Sequence, residues 1–118
     1  MAVTVTLIND HLGQSSPTVM GHEYCVDALC NVTSYTTGGE AVTAANLGLS
    51  SITAATITGL EKGLGNTGYV VALEVSATGD YASSSSFQIV ATDLDGTNAE
   101  AGSADDLGMI RVRVWGLL

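Results

Sequence analysis

Five runs of this chain alternate residues between two faces with a period of two. An extended strand with one buried face requires that period. In the first run, 2–8, Val3, Val5 and Leu7 share one side and Thr4 and Thr6 the other. In 22–33 (HEYCVDALCNVT), Tyr24, Val26, Ala28, Cys30 and Val32 line one face. Glu23, Cys25, Asp27, Asn31 and Thr33 line the opposite face, with Leu29 the exception, so the even face is the core face. In 69–75, Tyr69, Val71, Leu73 and Val75 alternate with Val70, Ala72 and Glu74, which reads as the clearest core strand. In 109–115, Ile110, Val112 and Val114 face one way and Arg111, Arg113 and Trp115 the other. Residues 51–58 (SITAATIT) read as a strand of β-branched residues and alanine, and in 87–91 Phe87, Ile89 and Ala91 alternate with Gln88 and Val90 as a return strand.

The connections narrow the topology. Parallel pairing needs crossovers of a dozen or more residues, usually helical, so antiparallel pairing is predicted. Asn9–Met20 reads as a long loop, either functional or packed on a neighbour as an arm. Residues 59–67 and 78–86 read as turns, and Asp93–Leu107 as an acidic loop holding Asp93, Asp95, Glu100, Asp105 and Asp106. With 14 glycines and one proline, the turns rest mostly on glycine. The expected fold class is all-β: an antiparallel β-sandwich or partly closed barrel of about six or more strands with at most one short helix, in a single domain over 1–118.

Charge excludes several partners. The net charge is −9, and Lys62, Arg111 and Arg113 are the only cations. Neutralising phosphates takes several cations, so no nucleic acid and no anionic membrane surface is expected as a partner. No apolar run approaches the roughly 20 residues of a spanning helix. The alternating N-terminus lacks a basic region and reads as a strand rather than a signal peptide, so synthesis in a cytoplasm is expected. Only 13% of residues are charged and the mean hydropathy is +0.33. A solvated surface normally carries more charge, so part of this one is expected to be covered by another protein: copies of itself, a larger scaffold, or both.

The reactive residue types form no recognisable catalytic set. On one strand Cys25 and Cys30 would stand about 16 Å apart and on opposite faces. A disulfide needs Cα atoms within about 7 Å, so two reduced thiols are expected. His22, Glu23, Cys25 and Asp27 are close in sequence, but a strand sets His22 opposite the other three in a region with no C-x-x-C pair. Asp93-Leu94-Asp95-Gly96 resembles the start of a calcium loop but lacks the spacing of its later ligands. The serines at 83–86 lack a nucleophile elbow. No enzyme activity, cofactor or metal is expected. Arg111, Arg113 and Trp115, on one strand face, are the residue types that anchor protein contacts, and an acidic loop such as Asp93–Asp106 of a neighbour is their expected complement.

The stretch 34–49 (SYTTGGEAVTAANLGL) reads as a corner between strands. Gly38-Gly39 forms a bend, and Ala41, Val42, Ala44, Ala45 and Leu47 are expected to make about one helical turn that Gly48 ends. Two roles are open to Glu40: it caps that turn with its carboxylate, or it faces a neighbouring subunit. The run Tyr35–Thr43 (YTTGGEAVT) followed by Asn46–Leu49 (NLGL) resembles a family of tailed-phage head decoration (cement) proteins, in which a Y-P-T-G-G-E-A-L-T run precedes D/N-L-G-L. Thr36 stands where that family commonly has proline. The opening strand and a closing strand such as Arg111–Val114 are also similar. The resemblance implies a β-rich structural protein of the bacteriophage virion. It would sit on the outer capsid surface, bind the major capsid protein and clamp neighbouring subunits, with a trimer as the favoured homo-oligomer. Two other classes fit the composition: a carbohydrate- or calcium-dependent β-sandwich binding module, and another virion part such as a tail or fibre component.

Overall fold

A computed structural model describes residues 2–9, 12–62, 69–75, 84–93, 100–102 and 105–118. The alternating runs pair into two antiparallel sheets. The strands are β1 (Ala2–Leu7), β2 (Thr18–Met20), β3 (Glu23–Ser34), β4 (Glu40–Thr43), β5 (Ser51–Leu60), β6 (Tyr69–Glu74), β7 (Ser86–Asp93) and β8 (Gly108–Leu117). One sheet runs β1-β3-β8-β5, with β2 also on β3; the other runs β4-β7-β6. The molecule is 21 Å along its shortest axis, the thickness of two sheets about 10 Å apart with their outer side chains.

Strand β3 organises the larger sheet. Of its 12 residues, 24–32 pair with β8 along one side, and 23–25 with β2 and 28–34 with β1 in tandem along the other. The inward positions of this pair are Val26, Ala28, Cys30 and Val32 on β3, and Ile110, Val112 and Val114 on β8, all buried. The facing sheet contributes Val42 from β4 and Phe87, Ile89 and Ala91 from β7. Tyr35, Leu47, Leu49 and Leu107 close the same cluster. Fully burying a large aliphatic or aromatic side chain contributes about 1.5–3 kcal/mol. With few large side chains available, close approach of backbones takes over part of that task.

The all-β sandwich, the β3 core face and the β7 and β8 alternations agree with the sequence reading. Three details differ. Tyr69–Val75 is not the deepest strand: β6 lies at the edge of the smaller sheet, and Tyr69, Val71 and Leu73 are half-buried. Thr18–Met20 is a strand rather than loop, because β3 extends beyond the end of β1 and offers Glu23–Cys25 for pairing. Ala41 and Val42 belong to a strand, paired with Gln88 and Phe87, so the helical turn begins only at Ala44. No helix among the described residues is long and apolar enough to cross a membrane.

Candidate functional site

The corner is built from both sheets. Tyr35 follows β3 directly, is buried, and anchors three segments. Its hydroxyl donates to Glu100 Oε2 at 3.0 Å and accepts from the Ala91 N–H at 3.4 Å. Its own N–H donates to the Asp105 carbonyl at 2.7 Å. The Gly38 N–H donates to the same Glu100 carboxylate oxygen. Gly39 N–H to Thr36 carbonyl, at 3.0 Å, closes a turn in which Gly38 (φ 106°) and Gly39 (φ 117°) both take positive φ. Only glycine enters that region freely. Burial, the largest influence, raises the Tyr35 hydroxyl above its usual pKa, and the Glu100 carboxylate adds to the shift.

Beyond the turn, β4 alternates strictly: Glu40 and Val42 point inward, Ala41 and Thr43 outward. Neither role expected for Glu40 is met. The 3₁₀ turn Ala44–Leu47 is capped by Thr43, whose hydroxyl accepts from the Asn46 N–H, and is ended by Gly48 at φ 76°. Glu40 is 0% exposed, so it faces no neighbour. Neither of its carboxylate oxygens has a hydrogen-bond partner among the described residues. The strand register, Glu40 opposite Ile89, puts a carboxyl where the period-two pattern calls for an apolar side chain.

On the outer face of the larger sheet, Arg111, Arg113 and Trp115 alternate along β8 as expected. They stand opposite Leu29, Asp27 and Cys25 of β3. Arg113 is held in two-pronged fashion by Asp27, Nε to Oδ1 at 2.8 Å and Nη2 to Oδ2 at 3.0 Å. That hydrogen-bonded pairing holds the Asp27 carboxyl below the usual carboxylate range, against an opposing effect of burial. The same pairing raises Arg113 further. Arg111 is exposed, beside Gly59 of β5, and makes no ion pair among the described residues. Ile8, Asn9 and residues from 14–20 border this face and enclose with it a cavity of about 360 Å³. Arg111, Arg113, Asp27, Ser15 and Ser16 line the cavity; Trp115 does not. Sequence reasoning found both arginines and set Asp27 on the outer face of its strand, but did not join Asp27 or the serines to them. The signal available was their outward position on β3 and in the loop, but the cross-strand register was needed to join them.

The two thiols are free. Cys30 points into the core, and burial pushes its pKa up to about 11. Cys25 points outward into the wall of the cavity and is also raised, chiefly by burial, with Arg113 pulling the other way. Neither is poised as a thiolate nucleophile. Among the described residues no three His, Cys, Asp or Glu side chains gather as metal ligands. Asp95 and Gly96 of the calcium-like run, and His11, lie outside the described residues. The chain matches no protein-family model, no curated protein and no solved structure.

Proposed function

We propose that this protein is a decoration protein of a tailed-phage head, a structural component that binds the outer surface of the assembled shell and stabilises it. The observation that carries this reading is the run Tyr35–Thr43 with Asn46–Leu49, which resembles the corresponding run of that family. Its residues are costly choices: two glycines at positive φ, a buried Tyr35 and a buried unpartnered Glu40. The surface supports a protein partner as well. Leu12, Val19, Met20, Val70 and Met109 are exposed in a chain with few surface charges. The partner is the major capsid protein, and the decorating unit is a homotrimer. A protein that binds only the assembled shell stabilises that shell by mass action. Symmetry-linked copies add avidity without any reactive group. Co-sedimentation with mature heads and with free capsid subunits tests this: binding to heads alone, by a species that light scattering sizes as a trimer, is expected. A folded monomer that ignores heads overturns it.

A further inference from the structure

The cavity between the outer face of β3 and β8 and residues 8–9 and 14–20 concentrates the positive charge of the molecule. In a chain of net charge −9, its wall carries two of the three cationic side chains, Arg111 and Arg113. The one carboxylate described in the wall, Asp27, is already committed. It occupies the Nε–Nη2 edge of Arg113. A guanidinium has five N–H donors in a fixed fork, so the Nη1 side of Arg113 remains for another acceptor. Arg111 is exposed and makes no ion pair among the described residues. Two cations and one anion leave the described wall with a local excess of one positive charge. Ser15, Ser16 and Thr18 add hydroxyl groups, and Asp27 fixes the orientation of Arg113 before anything arrives.

We propose that this cavity receives a carboxylate side chain from an acidic segment of another protein chain. A planar carboxylate matches the guanidinium fork in two-pronged geometry. The negative charge of the molecule disfavours a polyanion such as nucleic acid or an anionic bilayer, which would meet the whole surface rather than one cavity. A protein segment also uses what surrounds the charges. Met20 lines the cavity and is 51% exposed, and Val19 beside it is 66% exposed. Residues flanking the bound carboxylate would cover this apolar rim and exclude water from the ion pair, which a free small acid does not do.

The test is calorimetric titration of the purified protein with blocked hexaglutamate, hexaglutamine and free glutamate. Saturable binding of hexaglutamate that weakens with added salt is expected. Arg111→Gln, at an exposed position, should weaken it about tenfold while leaving thermal unfolding unchanged, since a hydrogen bond to a charged group contributes on that scale. Absence of hexaglutamate binding, equal binding of hexaglutamine, equally tight binding of free glutamate, or an unaffected Arg111→Gln overturns it. The titration uses the purified protein alone, so its outcome is separate from binding to phage heads.

Discussion

A Cβ placed on Gly116 would lie 1.9 Å from the carbonyl oxygen of Ser51. Strands β8 and β5 therefore approach at that point to a distance only glycine permits. The contact sits next to the register shift between Ile52 and Ala54, where the Thr53 hydroxyl reaches the Trp115 carbonyl at 3.2 Å. Gly116→Ala must push two backbones apart, and a loss of about 1–3 kcal/mol is expected from the forced displacement. Gly21→Ala is the control. Its φ is 70° but no atom lies within 4 Å of the added carbon, so only the backbone term of about 1 kcal/mol applies. Urea midpoints of the two variants, compared at unchanged m-value, check the difference.

The Asp27–Arg113 pair predicts an acid limb. Asp27 is held below its ordinary value by Arg113, so its contribution to stability is present above the unfolded value and lost as pH falls through the lower folded value. The pair is partly exposed, with side-chain exposures of 24% for Asp27 and 43% for Arg113. Screening then limits it to about 1 kcal/mol. Arg113→Gln should be less stable than the parent by that amount at neutral pH. The gap should begin to close as pH falls past about 3.9. Thermal unfolding at stepped pH measures it; a gap that widens in acid contradicts the assignment.

Strand faces were legible in the sequence wherever one side of a strand meets the core. Val26 to Val32 and Ile110 to Val114 follow the period of two, and the structure buries them accordingly. Depth was not legible. Tyr69, Val71 and Leu73 carry a stronger apolar pattern than Ala28 and Cys30, but are only half-buried, whereas the edge strand β4 of the same sheet buries Glu40 and Val42 completely. Pattern reports which way a side chain points, whereas what the opposite layer places over it decides how much covers it. The same limit applies to the cavity. Asp27 and Arg113 are 86 positions apart, and only the β3–β8 register brings them to 2.8 Å. Glu40 shows the converse: its type suggested a cap or a surface contact, and the strand pairing of β4 turned it inward.

An alkaline limb follows from Cys30. The folded pKa is raised from 9.0 to about 11 by burial, so stability is fully present below the unfolded value and declines as pH rises between those values. The contribution of this one thiol over that window is roughly 2–3 kcal/mol. Cys25 and Tyr35 are shifted in the same direction and act with the same sign. Cys30→Ala should cost about 1 kcal/mol near neutrality through the space it leaves. Its loss with rising pH should be shallower, so the two stability curves converge as pH rises past the unfolded value and cross before it reaches the folded one. Parallel curves would show that Cys30 does not drive the limb.

Glu40 gives the last prediction, because here the residue works against the fold that contains it. Its carboxyl is fully enclosed, and both oxygens lack a donor among the described residues. A buried polar group left unsatisfied costs about 1–3 kcal/mol. Replacing a buried polar side chain by an apolar one of similar shape is often stabilising. Glu40→Met should therefore raise the urea midpoint by an amount in that range. Glu40→Gln, which keeps the shape and leaves polar atoms unpaired, should change stability little. Because the side chain reaches no surface, both variants should bind phage heads as the parent does if the decoration reading holds. Full stability with lost head binding would instead mean that the corner around Gly38 and Gly39 opens on the shell and presents Glu40 to the capsid.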